Sequence, residues 1–90
     1  MDQEKYNQLR EQLIESTQWP SLYMFKFIIP NKDEKLEAVK ATFPKQTQFA
    51  FKTSKDMRFL SITVKITMKD ADAVIAIYEQ TKHIEGLFAL

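Results

Sequence analysis

Ninety residues suffice for one domain and leave no room for a second. The chain has no cysteine, which excludes disulfides, thiol nucleophiles and cysteine-zinc sites and fits a reducing compartment. Thirteen basic and twelve acidic side chains give a net charge of +1, so bulk charge gives no sign of a nucleic-acid protein. The opening residues Met1-Asp2-Gln3-Glu4-Lys5 lack the basic-then-apolar order of a secretory leader, and the run Phe27-Ile28-Ile29 is far short of a membrane span. Cytoplasm is the expected compartment.

In chain order, residues 3–17 predict an amphipathic helix. Tyr6, Leu9 and Leu13 share one stripe, widened by Ile14, and Trp19-Pro20 closes the segment. Residues 21–29 predict a strand rich in aromatic and β-branched side chains. Tyr23, Phe25, Phe27 and Ile29 point one way; Leu22, Met24, Lys26 and Ile28 point the other. With both faces largely apolar, this strand belongs in the middle of a sheet.

Asn31 reads as a helix cap, with Glu34 at the third helical position and Leu36, Val39 and Phe43 as the inner stripe before Pro44. Residues 46–54 alternate, with Thr47, Phe49, Phe51 and Thr53 on the core side and Gln48, Ala50, Lys52 and Ser54 outward. Residues 58–68 alternate more cleanly. Leu60, Ile62, Val64, Ile66 and Met68 face inward; Ser61, Thr63, Lys65 and Thr67 face outward. The polar stretch Ser54-Lys55-Asp56-Met57 between them predicts a hairpin. Asp70-Ala71-Asp72 starts a last helix with inner residues Val74, Ile77, Tyr78 and Thr81. Gly86 serves its C-terminal turn, and Leu87-Phe88-Ala89-Leu90 makes a short final strand.

After an N-terminal helix over 1–18, residues 19–90 thus follow the order β-α-β-β-α-β. That is the split βαβ, ferredoxin-like arrangement: an α+β two-layer sandwich with a four-stranded antiparallel sheet and two helices on one face. The expected strand order across the sheet is fourth, first, third, second.

Residues 19–90 resemble the YbeD-like family of small bacterial proteins of unknown function. The likeness rests on Trp19-Pro20 before the first strand, Phe25-Lys26-Phe27-Ile28 within it, Ser61-Ile62-Thr63-Val64, and Ile77-Tyr78 ahead of a short last strand. It implies a fold like that of ACT-type regulatory domains, and no activity, ligand or catalytic residue. Where that family has a glycine before the third strand, this chain reads Lys55-Asp56-Met57.

The candidate interaction surface is the sheet face turned away from the helices. It carries Lys26, Lys52 and Lys65, Ser61 and Thr63, and the apolar Met24 and Ile28, with Phe88 and Leu90 as further candidates. A solvated strand face is the plainer reading of its lysines. The exposed apolar residues call for cover, which the stripe Tyr6, Leu9, Leu13 and Ile14 could supply by packing across them or onto a second copy. An added layer on the helical side is the third option for that helix.

No catalytic, cofactor or metal site is expected. His83 has no cysteine or second histidine to work with, Asp70 and Asp72 read as helix-start residues, and one glycine cannot build a phosphate loop. The chain is therefore expected to be a non-enzymatic regulatory or interaction module that takes a protein partner or a small ligand. One alternative is nucleic-acid binding on the lysine face, against which Ser61, Thr63 and Lys65 stand where an RNA-recognition motif needs stacking aromatics. The other is self-association through the edge formed by residues 46–54.

Overall fold

The computed structural model describes residues 3–90; Met1 and Asp2, which belong to the leader reading and to the 1–18 segment, lie outside the described residues. The elements are α1 (Gln3–Ser16), β1 (Ser21–Pro30), α2 (Asp33–Lys40), β2 (Ala50–Thr53), β3 (Phe59–Met68), α3 (Ala71–Thr81) and β4 (Phe88–Ala89). The sheet runs β2-β3-β1-β4, as expected, with every neighbouring pair antiparallel.

Alternation in the two long strands sets the layers. β1 and β3 pair over ten residues each, with Phe25 opposite Val64, Phe27 opposite Ile62 and Ile29 opposite Leu60. All six are buried, because directly opposed residues of an antiparallel pair share a face. Val39 and Phe43 from the α2 segment and Val74, Ile75 and Tyr78 from α3 close over them in one cluster. Phe25 is the hub of that cluster, with Tyr23, Phe43 and Tyr78 rings edge-on at 4.7, 5.4 and 5.4 Å. α3 turns Ile75 inward more fully than Ile77, so its buried stripe is Ala71, Val74, Ile75, Tyr78 and Thr81.

Caps and turns explain the element ends. The Asp70 carboxylate accepts the Ala73 N–H at 2.8 Å and starts α3. Asn31 does not cap α2. Lys32 occupies that position in extended conformation, and the Asn31 amide donates instead to the Met57 carbonyl at 2.9 Å, tying the end of β1 to the β2–β3 turn. Within that turn the Ser54 hydroxyl donates to Asp56 at 2.7 Å and accepts the Phe59 N–H at 3.1 Å. The Ser54 hydroxyl and then the Arg58 backbone N–H hold the Asp56 carboxyl below its usual range. Met57 takes φ 64°, a left-handed conformation that glycine adopts at no steric cost.

β2 is shorter than its alternation suggests. A turn from Pro44 to Thr47 (N–H to carbonyl, 3.0 Å) delays entry into the sheet, and Phe49 packs edge-on against Phe43 at 5.8 Å instead of joining the ladder. Phe51 keeps the expected side, opposite Ile62, but on the sheet edge it is 48% exposed rather than buried, with Lys40 of α2 5.9 Å over its ring.

The expectation that the first helix packs across the open sheet face is corrected, and its third option, a place in the helical layer, is the one the structure shows. α1 does not cross the open sheet face, because it lies against α3. Tyr6 is only 2% exposed, and Leu9 and Leu13 pack on the core. Arg10 pairs with Asp72 at 3.3 Å, and Trp19 Nε1 donates to the Leu13 carbonyl at 3.2 Å. Only Ile14 of the apolar set stays exposed.

Candidate functional site

With all three helices accounted for on one side, the outer face of the sheet is left open. The register brings the sequence-derived candidates onto it together. Met24 lies opposite Lys65, Lys26 opposite Thr63, and Ile28 opposite Ser61. β2 continues two of these rows, with Lys52 opposite Ser61 and Ala50 opposite Thr63. On the far side Phe88 lies opposite Ile28, and the Leu90 N–H bonds the Lys26 carbonyl at 2.8 Å. One row therefore reads Lys52, Ser61, Ile28, Phe88 across all four strands.

This face exposes far more apolar surface than a solvated strand face needs. Leu22, Met24, Phe88 and Leu90 are each more than half exposed. Phe59 adds an aromatic ring at the start of β3, 46% exposed and opposite Pro30. Sequence reasoning missed Phe59 as a surface residue, although parity already assigned it. It is two residues before Ser61, so it points the same way as Ser61, Thr63 and Lys65. The expectation that β3 offers no outward aromatic is thereby corrected: it offers one, at its first residue and not at its centre.

A cleft of about 310 Å³ opens on this face between Phe59, Ile28, Ser61, Lys52, Thr53 and Ser54, and apolar atoms make up most of its wall. Lys26, Lys52 and Lys65 form no ion pair among the described residues. Neither Asp nor Glu occupies any outward position of β1, β2, β3 or β4. The face thus combines apolar anchoring surface with uncompensated positive charge.

The other residues weighed for chemistry are placed apart. Asp70 caps α3, Asp72 faces Arg10 on the far side of the molecule, and His83 is exposed in the turn after α3. No group of three or more His, Cys, Asp or Glu side chains that could hold a metal ion occurs among the described residues. A second concavity of about 280 Å³ lies between α3 and β4, bounded by Tyr6, Tyr78, Thr81, Lys82, Leu87 and Phe88. There Tyr6 and Thr81 both donate to the Tyr78 carbonyl, at 3.5 and 3.2 Å, and Lys82 stands 5.5 Å from the Tyr6 ring centre. No described helix is long and apolar enough to cross a membrane.

No curated protein and no solved structure matches the chain. Residues 15–89, everything from the end of α1 through β4, match the family described as "Protein of unknown function (DUF493)". The four strands in their β2-β3-β1-β4 order, α2 and α3 all fall inside that match, and the chain accordingly belongs to the YbeD-like family of small proteins of unknown function.

Proposed function

We propose that this protein is a non-enzymatic interaction module that docks a partner protein on the open face of its sheet. One observation carries the reading. A single face presents Leu22, Met24, Ile28, Phe59 and Phe88 beside Lys26, Lys52 and Lys65, with none of the described helices over it. Contiguous exposed apolar patches rimmed by polar groups mark binding surfaces. The ACT-type regulatory fold that the family resemblance implies supports a regulatory role. A protein fits the breadth of the patch better than a small ligand, which calls for a concave pocket around it.

A nucleic-acid reading draws support from Phe59 and Phe88, which could stack bases beside the lysines. It is the weaker one. The middle of both central strands carries Met24, Lys26, Ile28, Ser61, Thr63 and Lys65 with no ring among them, and the net charge is only +1. Binding to RNA would fall steeply with salt, whereas apolar docking of a protein would fall little.

Site-specific photocrosslinking in the native cell tests the proposal. A photoreactive residue at Met24 or Thr63 is expected to yield a discrete protein adduct. The same residue at Glu79, exposed on α3, is expected to yield none. Adducts of equal yield from both faces, or none from either, would contradict it.

A further inference from the structure

The geometry points to the occupant of this face: an acidic protein segment that carries one large apolar anchor, seated in the cleft between Phe59, Ile28 and Lys52. This rests on the docking reading above and narrows it to a chemical class of partner. Charge decides the first part. Among the described residues the three lysines on three strands have no ion-pair partner and the outward strand positions hold no Asp or Glu, while the Asp56 carboxylate of the neighbouring turn is engaged by Ser54 and the Arg58 N–H, so a partner's carboxylates are the groups that complement this face. Shape decides the second. The cleft of about 310 Å³ is walled by the Phe59 ring and Ile28 and flanked by Lys52, room enough for one large apolar side chain. Lys52 can lay its alkyl stem along such an anchor while its ammonium meets a neighbouring carboxylate.

A second copy of this chain fits less well. A two-fold contact between open faces would set Lys26, Lys52 and Lys65 against their own counterparts. α1 of another copy is also spent, since its Tyr6, Leu9 and Leu13 are packed at home.

The test uses the full chain and defined peptides, followed by backbone amide NMR. One peptide of about fifteen residues consists of Glu and Ser around a single central Trp. A second carries Ala for the Trp, a third Lys for every Glu, and an oligouridylate serves as the nucleic-acid probe. The Glu/Trp peptide is expected to shift the amides of Ile28, Lys52, Phe59 and Ser61. Replacing its Trp by Ala should weaken binding about tenfold or more, as loss of a central anchor does. Lys52→Glu combined with Lys65→Glu in the protein should weaken it by about tenfold, while Glu79→Lys on α3 should leave it unchanged. Equal binding of the Lys peptide or the Ala peptide would overturn the inference. So would tighter binding of oligouridylate through the same amides, or a concentration-dependent dimer that uses this face. If all peptides are silent but Met24 still yields a protein adduct, the acidic partner is wrong and the docking surface stands. If both fail, both fall.

Discussion

Two left-handed residues bound the open face and make opposite demands. Gly86, at φ 85°, sits where an added Cβ would come within 2.7 Å of Pro30 Cγ, so both conformation and space require glycine. Gly86→Ala should cost about 2 kcal/mol or more. Met57 holds the same kind of backbone with a side chain that is two-thirds exposed. Met57→Gly should stabilise the protein by about 0.5–1 kcal/mol, relief of strain outweighing the added freedom of the unfolded chain. Denaturant midpoints of the two variants should therefore move in opposite directions. The family resemblance marks Lys55-Asp56-Met57 as a departure, but the left-handed turn was not legible there, because a positive φ has no signature in a methionine. Tyr78 shows the reverse case. Burial first, and then its 2.9 Å hydrogen bond with the Tyr23 hydroxyl, push its phenol above the ordinary value of 10.0. A proton held more tightly in the folded state stabilises it at all pH values below the unfolded value, and that stabilisation is lost as pH rises past 10. The urea midpoint of the native protein should fall above pH 10, and Tyr78→Phe should flatten that fall.

α1 shows how a correct element can be given a wrong neighbour. Its limits and apolar stripe were plain from Tyr6, Leu9 and Leu13, yet an amphipathic stripe states only that something is covered. The deciding contacts are long-range, Tyr6 with the end of α3 and Arg10 with Asp72, while Trp19 closes locally on the Leu13 carbonyl. Tyr6 acts mainly through burial, since its hydrogen bond is long at 3.5 Å. Tyr6→Ala should cost about 3 kcal/mol and lower the melting temperature by more than 10 °C, whereas Tyr6→Phe should cost less than about 1 kcal/mol. A large loss in the Phe variant would show that the hydroxyl, not the ring, holds α1. β2 failed in the other direction. Alternation over 46–54 was real, but alternation reports faces and not pairing, and the Pro44–Thr47 turn with the Phe43–Phe49 contact withdraws residues 46–49 from the ladder. Asn31 likewise had the right chemistry one position too early, and its amide went to Met57.

The molecule as a whole divides into a side that three helices cover and a side that they leave open. That division was legible because β3 alternates apolar and polar side chains without a break from Leu60 to Met68, so one wrong parity would have inverted both layers. The cleft was not legible, because it forms where Phe59, Ile28 and Lys52 from three strands meet, and register across strands follows from pairing rather than from any one segment. The proposed docking requires an open face that folding can dispense with. The direct measurement is the Met24→Glu/Lys52→Glu variant, followed by thermal unfolding and by the photocrosslink from Thr63. Both replaced side chains are exposed, so the melting temperature should stay within about 5 °C of the native protein while the adduct disappears. Collapse of the fold, or an adduct that persists undiminished on a folded variant, would contradict the account.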